Sequence, residues 1–557
     1  MTQDGGKGEG LRRRPLWALP VAGALLVLMG GAPVGQTTDV AGQIARTEEL
    51  LRGARELRDR LMADPQRPTY HFMPPAGWMN DINGTVFWKG RYHLFYQAYP
   101  DAAHWQAICW GHASSVDLVH WVHHPIILSP TAGGPDREGC FSGTVVIHEG
   151  VPTAVYHGAP DGTCLATSTD DLLIHWTKHP ANPVMRVPRE GDPHFGEYIV
   201  YDPCAWQEGD TWYALCGGTT PQGRDTGYLF RSADLVNWEY VRPFYEPNPE
   251  WTELGEDCAV PTFFPLGRKY MLLFVSHKCG CQYYLGKHPR ERFIPEVHGR
   301  MNWAGGQLIA PMNMLDAKGR RLMFGWVCEA RRDASSCAAG WAGVMTLPRI
   351  LRFGRDGNLR IEPVPEIEVL RQDHHAETGL ALGPEDERTV AGVSGDCLEI
   401  AAQWETGTAK EVGLAVRCAP DDAERTEIVY SPKDRTLRVD TSRSSLSSDV
   451  VRPWPCPWGV MFDDPLETRV LPFHSEPSTI ADVPVQVAPL DLAPGEPLRL
   501  RVFIDRSILE VFANGRQCVT QRFYPSRPDS LGVKLFARGG TAKLVRLDAW
   551  RMGPAVE

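Results

Sequence analysis

A repeated unit in the central part of this chain limits its fold more than any other feature of the sequence. Three copies share the order Ser, acidic residue, apolar pair and Trp: SSVDLVHWVHHP (114–125), STDDLLIHWTKHP (168–180) and SADLVNWEYVRP (232–243). Short apolar and aromatic runs broken by Gly, Pro, Asn and Asp surround these copies, as is typical of an all-β protein with many turns. Repetition with such a period indicates an array of one supersecondary unit.

An aromatic strand opens each unit, and four of these strands follow a polar residue. The polar residues are Asp81, Ser142, Asp202 and Glu256, and the fifth strand, IAPMNMLDAKGRRLMFGW (309–326), has no carboxylate at its start. The five starts are 53 to 61 residues apart. Five units of this length fit a five-bladed β-propeller, whose blades are four-stranded sheets around a central channel. The competing interpretation is a β-sandwich with accidental similarity between its segments.

The rest of the chain supplies further segments, since 557 residues exceed one ordinary domain. The last part alternates in short strands with Asn-Gly and Asp turns, which is typical of a β-sandwich. We predict an all-β fold, a five-bladed β-propeller followed by a C-terminal β-sandwich. The predicted boundaries are an export signal or anchor over 1–38, an amphipathic helix and linker over 39–66, the propeller over 67–361, a linker over 362–378 and the sandwich over 379–557.

The N-terminal segment has the order of an export signal. Arg12, Arg13 and Arg14 precede the apolar stretch PLWALPVAGALLVLMGGAPVG, and small residues end it. The paired arginines also fit a twin-arginine signal. Because the stretch is slightly short for a membrane span, an uncleaved anchor is the alternative. We predict an exported protein, periplasmic or extracellular, that is either free or anchored through this segment.

The composition of the chain limits the classes of molecule that it is expected to bind. A net charge of −11 and a pI of about 5.9 argue against nucleic acid or an anionic membrane surface as the main partner. Most of the 14 cysteines are interpreted as buried apolar residues, with one or two disulfide bridges allowed. The histidines His120, His123-His124 and His374-His375 lack ligand-spaced partners, so we interpret them as surface or strand-pairing residues and predict neither metal nor cofactor. The oligomeric state is left open.

The stretch WMNDING (78–84) carries the first candidate for chemistry. Because first strands line the channel of a propeller, Asp81, Asp202 and Glu256 are expected to converge at one mouth of it. Converging carboxylates are costly unless they are used or paired. Glycosidases use such a set, with one carboxylate acting on the anomeric carbon and one carboxylic acid protonating the leaving oxygen. We predict that Asp81 is a nucleophile kept ionised by hydrogen bonds from the Asn80 and Asn83 amides.

Further motifs resemble those of glycoside hydrolase family 32, the β-fructosidases that include invertase, levanase and inulinase. The matching motifs cover most of residues 70–553, and their order is specific although each alone is weak. They are WMNDING (78–84), HLFYQAYP (93–100), HWQAICWGHASSVDLVHW (104–121), CFSGTVV (140–146), YDP (201–203), GEDCAVPTFF (255–264) and RVFIDRSILEVFANG (501–515).

The resemblance implies a role for each matching residue. Asp81 would be the nucleophile of a retaining mechanism, Asp202 the transition-state stabiliser and Glu256 the general acid/base. The fructosyl unit would be contacted by Trp78, Asn80, Gln97, Trp105, Phe141, Ser142 and the residue at position 201. The implied activity is hydrolysis of terminal β-fructofuranosyl linkages in sucrose or fructans, by double displacement and without a cofactor.

The chain departs from the family pattern at several positions, among them Ile82, where Pro is usual, and Val260-Pro261-Thr262, which lacks the usual Pro-Asp. Tyr201 stands where the family has an Arg that grips fructose hydroxyls. Asp257 separates Glu256 from Cys258, whereas the family has Glu and Cys adjacent. Glu256 is preferred over Asp257 because it has the longer reach and the family's residue type, and Glu253 is a weaker competitor. The alternative functions are hydrolysis of another furanoside, such as an arabinofuranoside, and a non-catalytic sugar-binding propeller.

Overall fold

The computed structural model describes residues 40–454 and 481–555. Helix α1 (Val40–Ala63) lies within the segment predicted to be helix and linker, and the compact unit that holds all later elements begins at Arg58. The predicted export segment, 1–38, lies outside the described residues. Within the described ranges, no helix combines the length and apolar character needed to cross a membrane.

Five antiparallel sheets follow one another between Gly77 and Pro363. The first contains β1 (Gly77–Trp88), β2 (Arg91–Tyr99), β3 (Cys109–Ser115) and β4 (Trp121–Leu128). The second contains β5 (Gly139–His148), β6 (Val151–Ala159), β7 (Gly162–Ser168) and β8 (Trp176–Lys178), with β9 (Met185–Arg186) paired to β7. The third contains β10 (Cys204–Glu208), β11 (Thr211–Thr219), β12 (Asp225–Ser232) and β13 (Glu239–Pro243).

The fourth sheet contains β14 (Ala259–Leu266), β15 (Lys269–Ser276), β16 (Gly280–Lys287) and β17 (Ile294–Arg300). The fifth begins with β18 (Leu308–Leu315) and β19 (Arg321–Val327). Helix α2 (Asp333–Ala339) and two short strands, β20 (Trp341–Ala342) and β21 (Val344–Met345), precede its outer strands β22 (Arg349–Phe353) and β23 (Leu359–Pro363). The last strand ends two residues beyond the predicted boundary at 361.

The five sheets are the blades of a propeller. The first strands of successive blades, β1, β5, β10, β14 and β18, contact one another in order, and β18 returns to β1. The ring is also closed by hydrogen bonds, because β20 pairs in parallel with β1 at Gly77 and Trp78. Strand β20, which follows the inner strands β18 and β19 of the fifth blade along the chain, thus completes the first blade. This arrangement places the starts of five first strands around one axis, as the repeat predicted.

A 3₁₀ helix (Pro365–Leu370) leads to the sandwich. Its strands are β24 (Arg371–Leu382), β25 (Glu387–Ser394), β26 (Cys397–Glu405), β27 (Glu411–Cys418), β28 (Thr426–Ser431), β29 (Thr436–Asp440), β32 (Val485–Pro489), β33 (Leu498–Asp505), β34 (Ile508–Ala513), β35 (Gln517–Arg522), β36 (Gly532–Arg538) and β37 (Ala542–Met552). The short strands β30 (Pro453–Trp454) and β31 (Ala481–Asp482) pair with each other in a separate sheet. One six-stranded sheet has the order β24-β37-β26-β33-β34-β35 and the other β25-β36-β27-β28-β29-β32. Apolar side chains from both sheets, among them Leu414 and Ile504, form the core between them.

The segment predicted as a linker, 362–378, is not a linker throughout. Strand β24 begins at Arg371 and pairs with the last strand of the sandwich, β37, from Arg371↔Met552 onward. The sequence pattern missed this strand because its residues are mostly polar and exposed and its partner lies far along the chain. The 13 cysteines of the described ranges are all free, so no predicted disulfide is found among them.

Candidate active site

Four of the five first strands have a β-bulge close to their start, and two of these bulges contain candidate residues. Register shifts occur between Met79 and Ile82, Cys140 and Gly143, Ala259 and Thr262, and Ile309 and Met312. Such bulges redirect side chains at the rim of a sheet. The first contains Asp81 and the second Ser142, so both side chains leave the regular in-and-out alternation of their strands.

The third blade places its carboxylate by a related backbone feature. Asp202, just before β10, has a φ of +44°, and Val260 and Ala310 at the corresponding turns of blades four and five have φ of +44° and +45°. Each of the three residues precedes a proline. Where the third blade presents a carboxylate, the next two blades therefore present small apolar side chains, and these pack with Trp78, Phe141 and Tyr201 in one cluster around the axis.

Four of the predicted substrate contacts form a directional hydrogen-bond chain that ends on Asp81. The Trp78 indole N–H donates to Asn80 Oδ1 (2.9 Å), and Asn80 Nδ2 donates to Gln97 Oε1 (2.6 Å). Gln97 Nε2 donates to Ser142 Oγ (2.7 Å). The Ser142 hydroxyl then donates to Asp81 Oδ2 (2.6 Å). Since each donor is committed to the next acceptor, this chain fixes the orientation of the Asp81 carboxylate.

Of the two asparagines predicted to donate to Asp81, Asn80 does so and Asn83 does not. Asn80 Nδ2 lies 3.4 Å from Asp81 Oδ1 and donates there as well. With its amide oriented to satisfy its neighbours, the Asn83 side-chain oxygen accepts hydrogen bonds from the Gln97 backbone N–H (3.1 Å) and the Trp110 indole N–H (2.8 Å). Burial raises the pKa of Asp81, and the bond from Ser142 and the charge of His277 offset part of that rise.

Asp202 lies close enough to Asp81 for the two charges to interact. Burial raises the pKa of Asp202 well above its usual value, and the Asp81 charge raises it further. The Tyr201 ring beside it packs against His157, with ring centroids 4.4 Å apart. Burial and the charges of Asp202, Asp81 and Asp257 raise the pKa of Tyr201 well above its usual value, which keeps this phenol protonated.

Aromatic side chains form the apolar part of the site. Trp105 meets Phe141 edge to face at 5.7 Å, and Phe141 meets Tyr201 at 6.4 Å. Trp105 and Tyr201 are half-buried, so both keep some surface open. Trp110 is fully buried and donates its indole N–H to the Phe141 backbone (2.9 Å). Trp110 therefore holds the backbone at Phe141 and does not present its own ring to a substrate.

The third carboxylate beside Asp81 and Asp202 belongs to Asp257, which precedes β14. It is 1% exposed. Its Oδ1 accepts the His277 backbone N–H (2.8 Å), and its Oδ2 lies 2.6 Å from His277 Nδ1. Burial lowers the pKa of His277, but the carboxylates of Asp257, Asp202 and Asp81 raise it above its usual value overall. One imidazole thus lies among three aspartates.

Glu256 makes a different set of contacts. Its Oε1 accepts the Glu253 backbone N–H (2.9 Å), its Oε2 accepts Gln282 Nε2 (2.9 Å), and the Arg300 guanidinium lies 3.3 Å away. Although burial raises the pKa of Glu256, the Glu253 N–H and Arg300 hold it below its usual value. Glu253, the weaker competitor, is exposed and paired with Lys278 Nζ (2.9 Å).

Sequence reasoning missed His277 and His157. His277 follows β15 directly, where the repeat offers no candidate position, and only its closeness to Asp257 in space singles it out. His157 is buried in β6, and burial lowers its pKa to about 3. Among the described residues, no group of three or more His, Cys, Asp or Glu side chains is arranged to hold a metal ion.

Comparison with known proteins agrees with this architecture. Residues 71–363 match the Glycosyl hydrolases family 32 N-terminal domain, and residues 366–551 match the Glycosyl hydrolases family 32 C terminal. Sucrose-6-phosphate hydrolase of Zymomonas mobilis is 31% identical over 530 residues, which are 89% of this chain and 94% of that protein. Its counterpart from Escherichia coli is 31% identical over 517 residues, 87% of this chain and 95% of that protein.

A solved structure extends the agreement to three dimensions. The crystal structure of fructan 1-exohydrolase IIa from Cichorium intybus superposes with a TM-score of 0.75 at 27% identity, and the match covers 89% of this chain and 99% of that one. Both family domains, in the same order, are therefore present along nearly the whole described chain. On these matches, this chain belongs to glycosyl hydrolases family 32 and is a glycoside hydrolase.

Proposed function

We propose that this enzyme hydrolyses terminal β-fructofuranosyl linkages in sucrose or fructans with retention of configuration. The observation that carries the proposal is the oriented, buried Asp81 carboxylate at the end of its hydrogen-bond chain, beside the second carboxylate of Asp202. Relatives named for sucrose-6-phosphate, levan and fructan hydrolysis support a fructosyl substrate. The aromatic surface of Trp105 and Phe141 suits the apolar face of a sugar ring.

In the first step, an oxygen of Asp81 attacks C2 of the fructosyl unit. The bond from C2 to the leaving oxygen breaks, its electron pair stays on that oxygen, and the oxygen receives a proton from an acid of the enzyme. In the second step, water adds to C2 while the enzyme's acid, now deprotonated, takes one of its protons, and the bond from C2 to Asp81 breaks with its electron pair returning to the carboxylate. Asp202 would hydrogen-bond the fructosyl hydroxyls as positive charge develops on the ring.

We assign the proton transfer to Asp257, whose carboxylate is contacted by His277. Glu256 stays a prediction from sequence, but its ion pair with Arg300 and its lowered pKa disfavour the protonated form that an acid needs. Asp257 lies among the charges that act on Asp202 and Tyr201. It is also the acidic residue next to Cys258, the spacing of the family motif. Both features favour Asp257 over Glu256.

The experiment is fructose release from sucrose, levan and inulin, beside an arabinofuranoside panel, by wild type and four variants. Asp81→Asn and Asp257→Asn are expected to lose at least about 100-fold in kcat/KM, the lower range for a missing acid/base group. Glu256→Gln is expected to keep activity within roughly tenfold, because it replaces one ion pair outside the reaction. Asp225→Asn, another buried carboxylate bonded by Tyr245 and Thr252, is the matched control for folding.

Each outcome decides one part of the proposal. If wild type releases no fructose but turns over an arabinofuranoside, Tyr201 marks a change of sugar and the fructosidase assignment is wrong. If Glu256→Gln is inactive while it unfolds at the wild-type temperature, the acid is Glu256 after all. Activity of Asp81→Asn would remove the nucleophile assignment.

We also propose that the protein is exported, on the strength of the basic and apolar order of residues 12–35. Fractionation of cells that express the full chain tests this. Activity in the periplasm or medium is expected, and the Arg13→Lys, Arg14→Lys double variant should reduce it there if the twin-arginine reading is right. Activity confined to the cytosol of wild-type cells would exclude export.

A further inference from the structure

Three histidines on neighbouring strands form a stack inside the first blade. His93 of β2 and His112 of β3 are both 0% exposed, and their rings lie nearly parallel with centroids 5.3 Å apart. His124, which is half-buried and lies opposite His112 on β4, has its ring 4.5 Å from that of His112. We call these three side chains the histidine stack.

The hydrogen bonds of the histidine stack are those of neutral rings. His93 Nδ1 lies 3.0 Å from His112 Nε2, so one of these nitrogens carries a proton and the other accepts it. Among the described residues, neither His93 Nε2 nor His112 Nδ1 has a hydrogen-bond partner. A proton added to either ring would therefore lie on a buried nitrogen without an acceptor, or would turn the shared hydrogen bond into two opposed N–H groups.

The charges that face the histidine stack oppose its protonation. Arg91, at the start of β2, faces both His93 and His124, and a charge on one ring of the stack would repel a charge on the next. Asp170, in the turn after β7 of the second blade, contributes a carboxylate that faces His93 and His124. Because its oxygens already accept N–H groups of its own turn, this carboxylate only partly offsets the repulsion.

Burial and these charges lower the pKa of every ring in the histidine stack. The pKa of His93 falls to about 4, that of His112 falls well below its usual value, and that of His124 falls as well. The adjacent His123 faces Arg67 and His124, and burial and these charges lower its pKa to about 4. The folded protein thus excludes protons that the same histidines take up below about pH 6.5 in an unfolded chain.

The histidine stack lies between the second blade and Gln97, a member of the hydrogen-bond chain that ends on the nucleophile. Phe95, whose ring stacks on that of His112 at 4.6 Å, also meets Trp176 of the second blade edge to face at 5.7 Å. Along β2, which pairs with β3 without a register shift, His93, Phe95 and Gln97 alternate so that they share one face. A displacement of β2 at the stack therefore moves Gln97.

We propose that the histidine stack is an acid-sensitive release of the contact between the first and second blades. Because the unfolded state binds protons that the folded stack excludes, stability is full above about pH 6.5 and is lost as pH falls toward about 4. Protonation opens this contact first and displaces β2, while the sandwich stays folded. The inference does not depend on which sugar the enzyme hydrolyses.

The first test measures denaturant unfolding of the full chain between about pH 5 and 7, where histidine titrates in an unfolded chain. It compares wild type with the double variant His93→Phe, His112→Phe, which removes both partners of the ring hydrogen bond and keeps two stacked rings. The slope of the logarithm of the unfolding constant against pH counts the protons taken up on unfolding. We expect the double variant to take up about two protons fewer than wild type near pH 5.5, and an equal slope would overturn the inference.

His175→Gln is the matched control. His175 lies in the same turn as Asp170, but its side chain is 79% exposed. This variant should therefore keep the wild-type slope. A loss of slope as large as that of the double variant would show that the protons are not taken up by the histidine stack, and would overturn the inference.

Hydrogen exchange read by mass spectrometry locates the opening in wild type, without a substitution and without a substrate. After correction for the intrinsic chemical rate, amides of β2 and β3 should exchange at least about tenfold faster at pH 5 than at pH 7. Amides of β26 in the sandwich should not, and the double variant should lose the acceleration in β2 and β3. Unchanged exchange in these two strands, or an equal acceleration over propeller and sandwich, would overturn the inference whatever the enzyme hydrolyses.

Discussion

At the scale of single residues, the orientation of Asp81 is maintained by neighbours that were expected to touch the sugar. Ser142 gives Asp81 its shortest hydrogen bond, and Gln97 and Asn80 fix the direction of that bond from behind. In the proposed mechanism Asp81 attacks as a carboxylate, so it must be ionised although burial raises its pKa. The hydroxyl of Ser142 therefore contributes to reactivity as well as position.

We expect Ser142→Ala to move the acid limb of the pH dependence to higher pH. The hydrogen bond from Ser142 lowers the pKa of Asp81, so its loss raises that pKa further and leaves less carboxylate at low pH. A bond to a charged group contributes about 1.5–3 kcal/mol, which corresponds to a loss of roughly ten- to hundredfold in kcat/KM near neutral pH. The pH dependence of kcat/KM between pH 4 and 8 measures this shift. An acid limb at the wild-type position would show that the Ser142 hydrogen bond does not lower the pKa of Asp81.

The sequence predicted part of this site for identifiable reasons. Asp81, Gln97 and Ser142 could be named because strand starts and motif order are properties of the chain itself. The orientation chain between them could not, since it depends on rotamers of residues 17 to 61 positions apart. His277 could not be named either, because only its contact with Asp257, which lies before β14 while His277 follows β15, brings it to the site.

At the scale of elements, β-bulges determine which side chains reach the axis. Each bulge leaves two residues of a first strand opposite one of its partner, and Asp81 and Ser142 lie in two of them. The aromatic runs predicted these strands and the repeat predicted their number. The irregularities were invisible in the sequence, as was β20, whose two residues close the ring only because β1 lies beside them.

Gly143 makes the second bulge testable. A Cβ at this position would lie 2.1 Å from the Val155 backbone oxygen, so Gly143→Ala must displace β5 from β6 beside Ser142. We expect a loss of about 1–3 kcal/mol in the free energy of unfolding, the usual range for overpacking, and a fall in activity from the displaced hydroxyl. Gly150→Ala in the turn of the same hairpin is the control, since its φ is +80° but nothing lies within 4 Å of its Cβ.

Chemical denaturation of both variants distinguishes the two effects. Gly150→Ala carries only the conformational cost of a left-handed backbone, about 1–2 kcal/mol, and should keep wild-type kcat/KM. If both variants lose equal stability and keep full activity, the close approach at Gly143 does not position Ser142.

At the scale of the whole molecule, the sandwich secures the chain that enters the first blade. The Asp505 carboxylate accepts the backbone N–H groups of Thr69 (2.7 Å), Tyr70 (2.8 Å) and His71 (2.8 Å). Arg506 donates to the Asp64 carbonyl (2.8 Å) just ahead of that segment. The motif around Asp505 was recognised in the sequence, but the sequence alone assigned it no role. In the structure it anchors the residues that precede β1.

The two domains also share an apolar interface that supports this anchoring. Phe503 and Phe512 from the sandwich pack with Met271 and Leu273 of the fourth blade and Leu351 of the fifth. Across this interface, the fully buried Arg349 guanidinium of β22 donates to Glu510 of β34 (2.8 Å). A change at Asp505 should therefore act on β1 through residues 69–71 while the rest of the interface stays in place.

We expect Asp505→Asn to lower the free energy of unfolding by about 3–5 kcal/mol, the usual cost of removing one partner from a buried ionic network. Its bonds from His71 and the backbone hold the pKa of Asp505 below the usual value despite burial. A depressed folded pKa means that its stabilisation is present above about pH 4 and is lost as pH falls through the folded pKa. Wild type should lose stability over that acid range more steeply than the variant.

Denaturant unfolding between pH 3 and 7 measures both effects, with Asp491→Asn, an exposed sandwich carboxylate paired with Arg435, as the control that should change little. Because Asp505 bonds the segment leading into β1, the variant should also lose catalytic rate at temperatures where it remains folded. Parallel acid limbs for wild type and Asp505→Asn, or full activity in a destabilised variant, would show that the sandwich does not position the first blade through this carboxylate.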